Sequence, residues 1–171
     1  MKVLKKDGIE STNEFKVVTD IAEELEIFLN QEEIIEEISK THKLGAKSSE
    51  IQKIIIGKAQ ELGFQSEKNG LFSKYLTKNL RPDYFKRLDN SNGIIMEVER
   101  GKTTNNNMDL LDVWKCHICE EANYLFLLIP NVRQNGKGGK TQTFSPVVKR
   151  LHSFFIKENY INVNAIFIFG Y

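Results

Sequence analysis

Three carboxylates in one short span carry the strongest chemical signal of this chain. Arg81-Pro82-Asp83 is followed, fourteen residues after the aspartate, by Glu97-Val98-Glu99. Residues two apart on a strand point to the same face, so Glu97 and Glu99 project together. The intervening Asp89-Asn90-Ser91-Asn92-Gly93 is dense in turn formers and contains Asn-Gly, a strong hairpin signal. A hairpin brings Asp83 beside the glutamates. Carboxylates so close repel one another unless a cation sits between them or one takes up a proton. A hard divalent cation is the natural occupant, and Mg²⁺ commonly takes one or two protein carboxylates together with substrate phosphates. The plainer alternative is that Glu97 and Glu99 lie on an exposed edge or are paired with Arg100 and Lys102.

The elements that must position these groups can be read on either side. Ser48 to Gly63 reads as a helix with Glu50 in its first turn, Ile51, Ile54, Ile55, Ala59 and Leu62 on one stripe, and Gly63 as its stop. Gly70 to Leu76 reads as a short strand before the hairpin. Asn107 to Glu121 reads as a helix capped by Asn107, with Leu110, Leu111, Trp114 and Ile118 on its inner face. Asn123 to Ile129 is apolar throughout, as in a parallel strand buried on both faces. Ser145 to Asn159 reads as a helix with Pro146 at its first position, and Ala165 to Phe169 as a last strand. Strand–helix–strand alternation after a hairpin implies an α/β fold, a mixed sheet with helices on its faces.

That order, with Pro-Asp and Glu-x-Glu in those places, resembles the PD-(D/E)xK nuclease superfamily, to which restriction endonucleases and many repair and recombination nucleases belong. The resemblance covers residues 48 to 170. It implies a restriction-endonuclease-like core over 48–171, preceded by an acidic helical extension over 1–47. It further implies metal-dependent hydrolysis of phosphodiester bonds, most directly in DNA, with RNA open, and Mg²⁺ or Mn²⁺ as cofactor. Asp83 and Glu97 fall on the acidic motif positions, and Glu99 falls where most members carry lysine. The departure leaves two readings. Either Glu99 orients or deprotonates water, or joins the metal ligands, with Lys102 or Arg100 supplying positive charge; or the domain is catalytically silent and binds nucleic acid or a protein. Glu50 matches an acidic position on the first core helix of many members.

Charge supports a modest nucleic-acid footprint only. Residues 1–47 hold 11 acidic and 7 basic residues, and residues 48–171 hold 12 and 17. Candidate phosphate contacts are Lys74, Lys78, Arg81, Lys86, Arg87, Arg100, Arg133, Lys137 and Lys140, each of which could equally be a solvated surface charge. Asp20 to Thr41 reads as an amphipathic helix broken near Asn30. It either packs on the core or forms the interface of a homodimer, since a cut through both strands needs two active centres. The glycine- and lysine-rich stretch from Asn131 to Thr143 reads as a loop beyond the central strand. Cys116-His117-Ile118-Cys119 lacks a second pair at zinc spacing and reads as reduced helix residues. No stretch reaches the length of a membrane span and no signal peptide is evident, so a cytosolic enzyme without membrane contact is expected.

Overall fold

The protein is described by a computed structural model covering residues 1–66, 71–75, 80–88, 92–100, 103–104, 106–134 and 139–171. Its strands are β1 (Lys2–Lys5), β2 (Gln65–Ser66), β3 (Tyr84–Arg87), β4 (Gly93–Val98), β5 (Tyr124–Ile129), β6 (Val132–Gln134), β7 (Lys140–Gln142) and β8 (Ala165–Gly170). Its helices are α1 (Asn13–Leu29), α2 (Glu32–Thr41), α3 (Ser48–Glu61), α4 (Met108–Ile118) and α5 (Phe144–His152). Six strands form one mixed sheet in the order β1-β8-β5-β4-β3-β2, and β6 and β7 form a separate ribbon. The three central strands β4, β5 and β8 are parallel; β1 and the β2–β3 meander flank them antiparallel.

Each central strand is buried on both faces, and alternation divides its side chains between two cores. Ile94, Met96 and Val98, Tyr124, Phe126 and Leu128, and Ala165, Phe167 and Phe169 face α1, α2 and α3. Ile95, Leu125, Leu127, Ile129, Ile166 and Ile168 face the opposite core, which holds Val113 and Cys116 of α4 and Val147 and Leu151 of α5. The chain steps from β4 through α4 to β5, then through α5 to β8, always in the same direction across the sheet. Two crossovers of one hand and one direction place both helices on one face. The expected α/β class with a mixed sheet between helices is therefore present.

Segment 1–47 packs on the sheet, the first of the two arrangements expected for its helix. β1 completes the sheet edge against β8, and Phe15, Val18, Ala22, Leu25 and Leu29 of α1 lie in the larger core. Helix α1 starts seven residues before the expected Asp20, because the Thr12 side chain accepts from the Phe15 N–H at 3.2 Å and caps it there. The expected break near Asn30 is found, between Leu29 and Glu32.

Other elements shift as well. The strand expected over 70–76 is a turn in its described part: the adjacent Leu71 and Phe72 are both buried, which the alternation of a one-faced strand does not allow, and Gln65–Ser66 pairs with β3 instead. Gly63 does stop α3, in the left-handed conformation at φ +85°. Helix α5 ends at His152, and two short 3₁₀ turns follow, with Phe154 and Phe155 packed on the core. Within the expected loop 131–143 the chain forms the β6–β7 ribbon. Among the described residues no helix is long and apolar enough to cross a membrane.

Candidate functional site

The hairpin does bring Asp83 to Glu97. β3 pairs with β4 in the register Tyr84↔Met96, so Asp83 stands opposite Glu97 one step beyond the ladder. The Asp83 N–H donates to Glu97 Oε2 at 3.2 Å, and Asp83 Oδ2 accepts from the Val98 N–H at 2.8 Å. Each carboxylate thus accepts from a backbone N–H on the other's side of the hairpin, which ties the two acids together. The Gln52 side chain of α3 also reaches the Asp83 carboxyl. Glu97 is buried at 3 % exposure on the α4 side of the sheet, and Glu99 follows half-buried, its N–H donating to Leu128 O at 2.9 Å.

The charge facing these acids comes from α4, and sequence reasoning missed it. The Lys115 ammonium lies 2.5 Å from Glu97 Oε1 and 2.9 Å from Asp112 Oδ1, with all three side chains almost wholly buried. Neighbouring Asp109 is buried too and pairs with Arg150 of α5 at 2.8 Å. The face of α4 accordingly departs from expectation in part: Leu110 and Ile118 pack against the core as expected, but Leu111 and Trp114 do not. Leu111 and Trp114 are exposed, Leu110 and Ile118 only partly covered, while Asp109, Asp112, Val113, Lys115 and Cys116 are buried. Asn107 does precede the helix, but in a left-handed conformation and without a capping bond; its side chain accepts from Arg150 instead.

One ammonium does not neutralise this cluster. Burial, then Asp112, holds the Glu97 carboxyl well above the usual carboxylate range. Burial, then the charges of Asp112 and Asp83, pushes Glu99 up to about 8. Burial raises Asp112 to about 6 and raises Asp83 as well. Burial opposes the charge on Lys115, but Asp112 and Glu97 more than offset it and hold the ammonium above the usual lysine range. Four carboxyls around one cation must bind protons or a further cation. The donor set is all oxygen and rich in charge, and so fits Mg²⁺ or Mn²⁺ in chemistry. Among the described residues no three His, Cys, Asp or Glu side chains converge in a ready metal geometry. The bonds that tie Asp83 to Val98 and Glu97 to Lys115 are what hold the carboxylates in their present arrangement.

Beside the acids lies a cleft of about 520 Å³ lined by Lys47, Ser48 and Ser49 at the start of α3 and by Glu99, Arg100 and Met108. Other expected residues serve elsewhere. Glu50 is exposed and its Oε2 accepts from the Lys47 N–H at 2.8 Å, capping α3 rather than joining the acids. Lys74 pairs with Glu120 at 2.7 Å and Arg87 with Glu121. Arg100 donates to the Ala46 carbonyl at the cleft wall. Lys86 and Arg133 are half-buried, and Arg81 and Lys140 exposed. Lys78, Lys102 and Lys137 lie outside the described residues. Cys116 and Cys119 are buried free thiols, as the reading of reduced helix residues expects. Comparison with protein-family models, curated proteins and solved structures found no match to this chain.

Proposed function

We propose that this protein is a metal-dependent nuclease of the restriction-endonuclease-like kind, hydrolysing phosphodiester bonds, most directly in DNA. The observation that carries the reading is the meeting of Asp83 and Glu97 at the carboxyl end of a parallel strand, with Glu99 beside an open cleft. The order α3-β2-β3-β4-α4-β5 supports it, since it is a helix, an antiparallel meander and a parallel crossover, as the resemblance requires. Ligand sites in such sheets favour the carboxyl ends of strands. Asp83 and Glu97 would hold the ion with Glu99 next to it, and a bound Mg²⁺ or Mn²⁺ would supply Lewis acidity toward the phosphate and acidify a water. The Glu99 carboxylate takes the proton of the attacking water at an oxygen. Lys115 supplies the positive charge that the missing motif lysine would give, offsetting charge that develops on the phosphate. Lys47 and Arg100 at the cleft meet flanking phosphates.

Cutting both strands calls for a homodimer. The apolar residues that α1 and α2 leave exposed, Val17, Ile27 and Ile35, offer its interface on an otherwise acidic surface. The test of function is direct. Supercoiled plasmid, single-stranded DNA and RNA are incubated with the protein and Mg²⁺, Mn²⁺ or a chelator. Metal-dependent nicking or cutting is expected. A protein that binds nucleic acid yet leaves every substrate intact with both metals would sink the enzymatic reading and favour the silent domain.

A further inference from the structure

Asp112 has no role in the hairpin site, yet it is wholly buried and its Oδ2 has no hydrogen-bond partner. An uncompensated buried carboxylate is costly unless a cation is present. Its other oxygen shares one nitrogen with Glu97: Lys115 Nζ stands 2.9 Å from Asp112 Oδ1 and 2.5 Å from Glu97 Oε1. A cation thus already sits between an acid of the sheet and an acid of α4, and it is the protein's own. The ammonium stands where an oxygen-liganded ion would stand. Asp112 and Lys115 are one helical turn apart, so the same rigid helix delivers both the extra ligand and its counter-ion.

We propose that Asp112 is a further ligand of the divalent-cation centre and that Lys115 is a resident counter-ion which yields Glu97 and Asp112 when the metal binds. This rests on the proposed metal centre at Asp83 and Glu97 and extends it from the hairpin to α4. Without metal, Lys115 keeps the buried acids from repelling each other and keeps them out of metal-binding geometry. With metal, the lysine loses its two partners and its ammonium is free to turn toward substrate. The arrangement couples cation binding to delivery of the positive charge.

Calorimetric titration with MnCl₂ compares wild type with Glu97→Gln, Asp112→Asn and Lys115→Met, each checked for folding by circular dichroism. Asp112→Asn should weaken Mn²⁺ by about tenfold or more, and Lys115→Met should tighten it by about tenfold, because a ligand is lost in one and a competitor in the other. Glu97→Gln should abolish binding. If Glu97→Gln abolishes binding while Asp112→Asn binds as wild type does, the extension to α4 fails and the hairpin centre stands. If wild type binds no Mn²⁺, or Glu97→Gln binds it unchanged, both fall. A Lys115→Met protein that binds no tighter overturns the counter-ion role. The wild-type protein gives a readout free of folding effects. The Lys115 Cε resonance should move on adding MgCl₂, and an unmoved resonance at saturation refutes displacement.

Discussion

Replacing Lys115 by methionine keeps the length and apolar stem of the side chain and removes the one charge held between Glu97 and Asp112. The side-chain exposures of the three groups are 8, 4 and 0 %, so water cannot take over the solvation of the acids left behind. Breaking a buried pair from one side costs about 3–5 kcal/mol when the remaining charge must stay ionised. Here it need not, because both carboxyls can take up protons. In wild type Asp112 ionises near pH 6. In the variant it should stay protonated well beyond that. The folded variant then holds a proton that the unfolded chain has released, and stability falls by about 1.4 kcal/mol for each pH unit. Over the two units from pH 6 to 8 this comes to about 3 kcal/mol. The expected cost of Lys115→Met is therefore about 1 kcal/mol at pH 5 and about 4 kcal/mol at pH 8. Urea denaturation followed by circular dichroism at the two pH values measures it. A cost that is the same at pH 5 and pH 8, or below about 1 kcal/mol at both, would refute the reasoning about the buried pair.

Without metal, wild type itself should lose stability as pH rises from 5 to 8. Burial and the neighbouring charges raise the folded Glu99 carboxyl to about 8, above its ordinary range, so the folded state binds more protons within that window. Saturating Mn²⁺ should flatten the slope in a calorimetric melting series, and a melting temperature that rises with pH would contradict this. Gly93→Ala should destabilise the hairpin by about 2–3 kcal/mol, since a Cβ there would lie 2.5 Å from the Phe85 ring and 2.7 Å from the Lys86 and Glu121 carbonyl oxygens. A denaturation midpoint equal to wild type would show that the backbone gives way more easily than its packing implies. Sedimentation at micromolar concentration should show a dimer that Ile27→Lys dissociates; a monomer of wild type with and without DNA would remove the proposed interface.

The central geometry was legible because it is local. Turn formers fill the middle of the fourteen-residue span between Asp83 and Glu97, so the flanking strands fold back on each other; Asn92-Gly93 does not itself set the register, because Gly93 belongs to β4 and pairs with Arg87. The uniformly apolar Tyr124–Ile129 likewise announces a strand covered on both faces. Helix α4 was misread for a physical reason. Periodicity assigns apolar residues to the inside, and here a paired set of charges, Asp109, Asp112 and Lys115, takes the inside while Trp114 faces out. The trace left in the sequence is Asp112 and Lys115 three residues apart, alternating with Val113 and Cys116, but it gains meaning only when Glu97 is seen above it. β1 was missed because Lys2-Val3-Leu4-Lys5 is short and half basic, and only pairing with β8 makes it a strand.

The claim on which the whole account depends is that Asp83 and its neighbours form a cation-dependent hydrolytic centre. The most direct measurement is the single-turnover cleavage rate of DNA in Mg²⁺ or Mn²⁺ by wild type and by Asp83→Ala, with folding and DNA binding confirmed for both. A catalytic metal supplies several kcal/mol, so the variant should be slower by at least about a hundredfold while still binding DNA. Cleavage by Asp83→Ala at the wild-type rate, or cleavage by wild type that persists in excess chelator, would contradict the account.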